Sequence, residues 1–213
     1  MTTGRLITIE GGEGAGKSTV LDAIRERLTH HGIDVVVTRE PGGTVLGEAV
    51  REIVLDPVRR NLCAESELLL MFAARAQLVR ELIRPALDAG QWVVSDRFTD
   101  ASYAYQGAGR GQPEARIAEL EAWAAGIRPD LTLLLDLPIA EGLARAGGRG
   151  RADRIELESA DFFERVRAAY RARAAAESGR FRVIDATRGI DDVRAAVCEA
   201  IDAFVATAGR RFA

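Results

Sequence analysis

A glycine-rich run near the N-terminus places the strongest constraint on how this chain can fold. Residues 11–18 read Gly11-Gly12-Glu13-Gly14-Ala15-Gly16-Lys17-Ser18 and match the pattern G-x-x-x-x-G-K-[ST]. An apolar run at 6–9 predicts a strand before it, and helical spacing over 17–31 predicts a helix after it. In such a strand–loop–helix unit, backbone N–H groups and the positive end of the helix dipole face a phosphate. The run therefore predicts a nucleoside triphosphate site.

Lysine usage singles out one residue within this run. Of the 29 basic residues, 28 are arginine, and the single lysine is Lys17. We expect Lys17 to reach the β- and γ-phosphates as a compact charge and Ser18 to ligate Mg²⁺. Because no second lysine exists, the chain cannot carry the Asn-Lys-x-Asp motif with which GTPases read guanine.

Apolar runs alternate with helical patterns along the whole chain. Strands are predicted at 6–9, 33–38, 92–95, 131–136 and 182–184. The predicted helices are 17–31, 45–55, 64–89 (disturbed near Pro85), 98–106, 113–125, 139–146, 159–177 (with Ser159 as its N-cap) and 191–206. Short apolar strands separated by helices are typical of a parallel sheet covered on both faces. We predict an α/β fold with a five-stranded parallel sheet flanked by helices, in a single domain over residues 1–213.

Composition excludes several other classes of protein. The two cysteines, Cys63 and Cys198, are too few for a disulfide scaffold or a four-cysteine zinc site, and the two histidines are the neighbours His30 and His31. A net charge of −3 offers no overall basic surface for nucleic acid. No window reaches about 18 apolar residues, and the start lacks a signal-peptide pattern. We expect a cytoplasmic protein with no nucleic-acid or membrane partner.

Two of the predicted strands lead into an acidic residue. The strand at 92–95 runs into Asp96 and Arg97, and the strand at 131–136 ends in Asp136. A carboxylate at the C-terminal end of a buried parallel strand is well placed to organise Mg²⁺. We favour Asp96, because the neighbouring guanidinium of Arg97 suits an acceptor phosphate. The alternative is a surface Asp-Arg turn.

A segment rich in glycine and arginine lies at about 145–156. It contains Arg145, Arg149, Arg151 and Arg154. A mobile basic segment can close over ATP and neutralise the charge that develops on a transferred phosphoryl group. The alternatives are a solvated basic loop and, less favoured because interleaved aromatic residues are missing, a nucleic-acid patch. Together with the phosphate-binding loop, the segment predicts a kinase of a small acceptor with a short Arg-rich lid.

Five stretches, in this order, resemble the bacterial thymidylate kinase family. They are Glu10-Gly11-Gly12-Glu13-Gly14-Ala15-Gly16-Lys17-Ser18-Thr19, Thr38-Arg39-Glu40-Pro41-Gly42-Gly43-Thr44, Asp96-Arg97-Phe98 with Ser102-Tyr103-Ala104-Tyr105-Gln106, Arg128-Pro129-Asp130-Leu131-Thr132, and Asp153-Arg154-Ile155-Glu156. The resemblance implies a P-loop nucleoside monophosphate kinase that moves the γ-phosphoryl of ATP to dTMP and gives ADP and dTDP. It also implies Mg²⁺ as cofactor and a homodimer.

The same resemblance implies roles for residues around the phosphates. Asp96 helps to organise Mg²⁺, Arg97 grips the dTMP phosphate, and Glu13 lies near the acceptor's 3′-hydroxyl and the metal. The ATP contacts implied are Gly11, Gly12, Glu13, Gly14, Ala15, Gly16, Lys17, Ser18 and Thr19. Other residues implied at the dTMP phosphate are Arg39, Glu40 and, as a weaker candidate, Arg51. The catalytic set is Lys17, Arg97, Arg149, Arg151 and Arg154, with Arg149 preferred among the lid arginines.

Base recognition is expected on the helix predicted over 64–89. Met71, Phe72 and Arg75 share a side of this helix, and Arg75 can donate to a thymine carbonyl. The family usually has an aromatic residue four positions before this arginine, where this chain has Met71. Either Phe72 stacks on the base from a shifted position, or Met71 packs under it. The alternative for each residue is a place in the hydrophobic core. The other expected contacts are Ser102 and Gln106 at the polar edge of the base and Tyr105 against the sugar, where it disfavours a 2′-hydroxyl.

Two other functions are compatible with these motifs. One is a P-loop kinase of another nucleoside monophosphate, and the other is a non-catalytic regulatory module that binds ATP. Arg75 and Tyr105 favour a deoxypyrimidine acceptor over other nucleotides. An intact Lys17 and Asp96, together with the basic segment, favour turnover over binding alone.

Overall fold

A parallel β-sheet forms the centre of the molecule. The computed structural model describes residues 4–147 and 152–209. The strands are β1 (Leu6–Gly11), β2 (Val35–Arg39), β3 (Trp92–Asp96), β4 (Leu131–Asp136) and β5 (Phe181–Asp185). Within the described ranges they lie in the order β2-β3-β1-β4-β5, and every neighbouring pair is parallel. The prediction of a five-stranded parallel sheet is confirmed.

Helices connect the strands and cover both faces of the sheet. They are α1 (Lys17–His30), α2 (Val45–Leu55), α3 (Ala64–Leu78), α4 (Arg84–Asp88), α5 (Thr99–Ser102), α6 (Glu114–Leu120), α7 (Ile139–Ala146), α8 (Ala160–Ala176) and α9 (Ile190–Gly209). Wider π-helical turns extend α3, α5 and α6 over Val79–Ile83, Tyr103–Gly109 and Glu121–Ala125. None of the helices in the described ranges is long and apolar enough to cross a membrane.

The core lies on both sides of β1, whose residues are all buried. On one face, Ile9 belongs to an apolar cluster with Ile24 of α1 and Val197 of α9. On the other face, Leu6 belongs to a cluster with Ile83 and Phe98. Full burial of such a side chain stabilises the fold by about 1.5–3 kcal/mol. The strand is thus held firmly on both faces, and the loop that follows it starts from a fixed point.

Several element boundaries have a clear local cause. The helix predicted at 64–89 changes its winding at Val79–Ile83, just before Pro85, which has no N–H to donate to the preceding turn. The helix predicted at 98–106 extends further than expected, because the π-helical turns after α5 continue to Gly109. Ser159 caps α8 as predicted, since its side chain accepts the N–H of Phe162 at 3.3 Å.

Candidate active site

The phosphate-binding loop joins the end of β1 to the start of α1. Gly16 stands at the N-cap of α1 with φ 88°, and a Cβ there would meet no atom within 4 Å. Gly14 has φ 71°, and a Cβ there would come within 2.1 Å of the Gly142 carbonyl oxygen on α7. Positive φ at these positions favours glycine. The loop therefore seats against α7 while the helix start remains open to an anion.

Lys17 folds back over this loop. Its Nζ donates to the carbonyl oxygens of Gly11 and Gly12 at 3.1 and 3.0 Å. Burial and the neighbouring guanidinium of Arg97 lower the pKa of Lys17, while the carboxylates of Glu13 and Asp96 oppose that shift. An ammonium held by two neutral carbonyls can exchange them for phosphate oxygens, which carry full charge.

The C-terminal ends of β1, β2 and β3 lie side by side. Ile9 and Arg39 are the register partners of Asp96 on either side. Backbone hydrogen bonds continue past the strands: Arg97 donates to the Ile9 carbonyl and Glu40 to the Asp96 carbonyl, each at 2.9 Å. The sheet therefore brings the loop after β1 and the acceptor residues after β2 and β3 to one edge.

Asp96 and Asp136 differ in what their carboxylates contact. Asp136 forms a bidentate ion pair with Arg167, at 2.8 and 3.1 Å. Asp96 has a buried Oδ1 with no hydrogen-bond partner among the described residues. A buried acceptor without a donor is unfavourable and marks a place for a ligand or ion. This contrast supports the preference for Asp96 over Asp136.

The residues around Asp96 fit a hard divalent cation. Ser18, Glu13 and Asp96 line the same open cleft and offer oxygen atoms. Mg²⁺ is typically bound by one or two carboxylates, substrate phosphates and water. Within the described ranges, no group of three or more His, Cys, Asp or Glu could hold a metal ion. The oxygen atoms of Ser18, Glu13 and Asp96 are ligands of the kind that Mg²⁺ prefers.

The phosphate cleft contains most of the residues predicted to bind phosphate. Its predicted lining residues are Glu13, Gly14, Ala15, Gly16, Lys17, Ser18, Arg39, Glu40, Arg51, Asp96 and Arg97. Thr19 is exposed on α1 and does not line the cleft. Arg39 is exposed and pairs with Glu48 at 2.8 Å, and Arg51 donates to the Pro41 carbonyl at 3.1 Å.

Arg97 lies at the centre of the site in an unusual backbone conformation. Its φ is 70°, which is strained for a residue other than glycine. The guanidinium donates to Gly11 O at 3.1 Å, Tyr170 Oη at 3.2 Å and Glu13 Oε1 at 2.9 Å, and it lies 4.7 Å from the centre of the Tyr105 ring. Tyr105 also donates to Glu13 Oε1, at 3.0 Å. The fold holds this arginine between the phosphate loop and the acceptor residues.

Glu10 contacts Arg97 indirectly, through the Tyr170 hydroxyl, and the sequence analysis gave it no role. Its Oε1 accepts the N–H of Phe98 at 2.8 Å and its Oε2 accepts the Tyr170 hydroxyl at 2.7 Å. Burial, with a smaller contribution from Asp100, raises the pKa of Glu10 to about 8, although Arg97 and both hydrogen bonds act in the opposite direction. Its position directly before the glycine-rich run was the available signal.

A second cavity adjoins the phosphate cleft, and we call it the acceptor cavity. The predicted residues that line it are Glu13, Glu40, Arg51, Met71, Arg97, Tyr105, Gln106 and Arg154. Glu13, Glu40, Arg51 and Arg97 line both spaces, so the two spaces share a wall.

Met71 and Phe72 have different surroundings. Met71 lines the acceptor cavity. Phe72 lies behind the cavity wall, in an apolar cluster with Leu68 and Ile117, and its ring faces the guanidinium of Arg75 at 4.5 Å. The structure brings Met71 to the cavity, where it also packs against Val50 and Val54, and leaves Phe72 in the core.

Arg75 and Ser102 are fully buried and do not line the cavity. Arg75 forms an ion pair with Glu40 at 2.7 Å and donates to Ser102 Oγ and to the Phe98 carbonyl, at 3.0 and 3.1 Å. Burial raises the pKa of Glu40, while Arg75 opposes that shift. The guanidinium thus joins α3 to the ends of β2 and β3 and supports the cavity wall.

Of the predicted lid arginines, Arg149 and Arg151 lie outside the described residues. Arg154 is buried and fixed: its backbone N–H donates to Leu55 O at 2.9 Å, and its Nε donates to Val54 O at 2.7 Å. Arg145 donates to the Ala186 carbonyl at 3.0 Å. Arg154 is therefore part of the acceptor cavity wall, rather than of a mobile segment.

Sequence reasoning missed Glu67, which also lines the acceptor cavity. It precedes Met71 by four residues and Arg75 by eight, so all three lie on one helix face. That spacing was the available signal. A second missed residue, Asp153, lines both the cavity and the phosphate cleft.

Comparison with known proteins agrees with the family resemblance described for the sequence. A sequence model described as "Thymidylate kinase" matches residues 9–197. The chain is 57% identical over 209 residues to a thymidylate kinase of Methylococcus capsulatus, covering 97% of this chain and 99% of that protein. It is 55% identical over 206 residues to one of Pseudomonas fluorescens, covering 96% of each. A crystal structure of thymidylate kinase from Ehrlichia chaffeensis superposes with a TM-score of 0.76 at 31% identity, covering 95% of this chain and 98% of that one.

Proposed function

This chain belongs to the thymidylate kinase family, and we propose how its own residues carry out the family's reaction. The enzyme is an ATP-dependent dTMP kinase, which moves the γ-phosphoryl of ATP to dTMP and gives ADP and dTDP. The observation that supports our assignment of sites is the shared wall: Glu13 and Arg97 line both the phosphate cleft and the acceptor cavity. ATP in one space and dTMP in the other would meet at these two residues.

On the donor side, the glycine-rich loop binds the ATP phosphates. Backbone N–H groups at the start of α1 face the anion, and Lys17 exchanges its two loop carbonyls for β- and γ-phosphate oxygens. Gly14, Ala15 and Gly16 also line a separate groove beside Arg145 and Ala186, which suits the adenine end of ATP.

Ser18 and Asp96 are the residues that would hold Mg²⁺, with Glu13 nearby. The buried, unpartnered Oδ1 of Asp96 supports this assignment among the described residues. When bound with ATP, the ion neutralises charge on the phosphates. The chain's own part is to present these oxygens at the edge of the sheet, beside Lys17.

On the acceptor side, Arg97 binds the dTMP phosphate. Its guanidinium is held by Gly11, Glu13 and Tyr170, so little ordering is left to do when the phosphate arrives. Arg39 and Arg51 add positive charge at the same cleft, and Glu40 orients the wall through Arg75. The attacking phosphate oxygen is already ionised near neutral pH, so catalysis needs position and charge neutralisation rather than a base.

The base and sugar occupy the acceptor cavity. Met71 packs against the base, and Gln106 meets its polar edge. Tyr105, held by Glu13, lies against the sugar and disfavours a 2′-hydroxyl. Ser102 and Arg75 form the wall behind, and a contact from Arg75 to a thymine carbonyl requires it to release one present acceptor.

The lid, dimer and location follow from the family resemblance alone. Arg149 and Arg151 are the arginines proposed to reach the transferred phosphoryl group, and Arg154 anchors the end of their segment. We likewise propose a homodimer and a cytoplasmic location, as expected for an enzyme that uses ATP and dTMP.

An acceptor panel tests the proposed sites. ADP release is measured with ATP, Mg²⁺ and each of dTMP, dUMP, UMP, CMP, dCMP, GMP and AMP in turn. A high rate with dTMP, a weaker one with dUMP and background with the others support the base and sugar assignments together. A preference for another nucleotide contradicts the roles of Met71, Tyr105 and Gln106. Background rates throughout, with ATP still bound, indicate a regulatory module.

A further inference from the structure

Glu67, on α3, is a buried carboxylate that takes no part in the mechanism proposed above. Its side chain is 1% exposed, and it accepts hydrogen bonds from Gln106 Nε2 at 2.9 Å and Arg110 Nε at 3.2 Å. Arg154 Nη2 is a third donor, at 2.5 Å. Burial acts to raise the pKa of Glu67, but these hydrogen bonds and the two guanidinium charges outweigh it and lower that pKa. The side chain is therefore ionised at neutral pH and can only accept.

This carboxylate fixes the orientation of Gln106. The two ends of a glutamine amide are a donor NH₂ and an acceptor oxygen, and their assignment follows from the partners. Because Glu67 can only accept, the NH₂ group must face it. The amide oxygen then points the other way, and it is buried without a hydrogen-bond partner among the described residues. Gln106 lines the acceptor cavity, so a ligand N–H can satisfy this oxygen.

We propose that Glu67 is a positioning residue that selects the acceptor base through Gln106. The inference rests on the proposed function of the cavity as the base site. The ring N3 of thymine or uracil carries a hydrogen and donates to an amide oxygen. The N3 of cytosine is an acceptor, so the same oxygen leaves two acceptors facing each other. A site built to receive an N–H discriminates strongly against a ligand that lacks it.

The substitution E67Q would not fix the orientation of the Gln106 amide. Its amide could turn either end toward Gln106, which could then present either end to the base. The carboxylate is held in place on its far side by Arg110 and Arg154, which are themselves anchored: Arg110 pairs with Glu158 at 2.5 Å, and Arg154 donates to the Val54 carbonyl at 2.7 Å. The orientation of Gln106 is thereby set before any nucleotide binds.

The test measures the ratio of kcat/KM for dTMP to kcat/KM for dCMP, at fixed ATP and Mg²⁺. The variants are E67Q, Q106L and the double variant E67Q/Q106L. E65Q is the matched control, because Glu65 is an exposed glutamate on the same helix. The KM for ATP and the melting temperature are recorded for each protein. E67D is added because it keeps a charge for both arginines but withdraws the carboxylate from Gln106 by one methylene.

We expect E67Q and Q106L each to lower the dTMP:dCMP ratio by about 10- to 100-fold. The double variant should have the ratio of Q106L alone, since Glu67 acts through Gln106. E65Q should keep the wild-type ratio, and the KM for ATP should stay at its wild-type value throughout. A purely structural role for Glu67 would lower activity on both nucleotides by one factor and leave the ratio unchanged.

Three results would overturn the proposal. One is an E67Q ratio equal to that of the wild type, and another is a double variant in which the two effects on the ratio multiply. If E67Q does not fold, E67D is measured in its place. The third contradicting result is then a dTMP:dCMP ratio of E67D equal to that of the wild type. Failure of the proposed function looks different, because the wild-type enzyme itself would then fail to prefer dTMP.

Discussion

The phosphate cleft and the acceptor cavity adjoin each other but are built in different ways. One wall of the cleft is a run of consecutive residues of one loop, Glu13 to Ser18, with their backbone N–H groups. The cavity is made from side chains contributed by distant segments, among them Arg51 of α2, Met71 of α3 and Arg154. A site made of contiguous backbone is encoded locally. A site made of side chains from many elements exists only after the chain has packed.

The two regions also differ in how their charges are satisfied before a ligand arrives. Lys17 is held by neutral carbonyl oxygens, which phosphate can replace. Around the cavity, Arg75 pairs with Glu40, and Arg154 pairs with Glu67. Removing one member of a buried pair leaves a charge uncompensated and is strongly destabilising. Substitutions in the cleft should therefore change the rate, whereas substitutions around the cavity should change affinity, selectivity and stability.

The largest effect is expected for K17R in the cleft. A planar guanidinium does not replace a compact ammonium at the β- and γ-phosphates, so kcat should fall by roughly 10³-fold or more, by analogy with other transition-state cations. The measurement is ADP release at saturating dTMP. R25K, at an exposed arginine on the same helix, is the control and should keep wild-type activity. A K17R enzyme that retained most of its activity would contradict the prediction that substitutions in the cleft change the rate.

R97K tests the wall that the two regions share. A lysine cannot contact Gly11, Glu13 and a phosphate with one fork, and misplacement of a reacting group by about 1 Å can reduce the rate about 10²-fold. We expect kcat/KM for dTMP to fall by about that factor, with the KM for ATP nearly unchanged. R116K, at an exposed arginine of α6, serves as the control. An equal rise in the KM for ATP would mean that Arg97 belongs to the donor side.

Met71 and Phe72 separate cavity from core on a single helix. M71A should raise the KM for dTMP about tenfold, because a cavity contact of about 1.5 kcal/mol is lost. It should also destabilise the fold, because Met71 packs against Val50 and Val54. F72A should instead lower the free energy of unfolding by about 3–5 kcal/mol. Steady-state kinetics and thermal unfolding of both variants check this. The reverse result, with F72A raising KM and M71A only destabilising, would restore the stacking role for Phe72.

The smallest expected effect is a pH dependence of stability that comes from Glu10. Its pKa is about 8 in the folded protein and 4.5 when exposed, so between these values the folded state binds the extra proton. The stability that this contributes is complete below pH 4.5 and is lost as the pH rises to about 8. E10Q removes the titration. The melting temperature of the wild type minus that of E10Q should therefore decrease by several degrees from pH 5 to pH 8.5.

Thermal unfolding at pH 5, 7 and 8.5 measures this difference. E26Q, at an exposed glutamate of α1, is the control and should show no such trend. A difference between wild type and E10Q that stays constant with pH would mean that Glu10 is ionised in the folded protein at all three values.

The sequence was most informative where chemistry is local. The glycine-rich run, the strands around it and the Ser159 cap all depend on residues that are neighbours along the chain. The preference for Asp96 over Asp136 came from its neighbour Arg97. Met71 and Phe72 could not be separated, because they are adjacent on one helix and the packing of Phe72 against Ile117 of α6 decides between them. The contact of Glu10 with Tyr170 joins residues 160 positions apart and exists only in the folded state.

The pairing of β1 with β3 has a consequence for how the transfer distance is set. Ile9 lies opposite Asp96, and neighbouring strands are about 4.7–4.9 Å apart in any sheet. The distance between the phosphate loop and the acceptor residues is therefore fixed by the backbone of the sheet. Side chains that line the acceptor cavity can be exchanged without changing this distance. A change of acceptor preference on this scaffold need not re-tune the spacing between donor and acceptor phosphates.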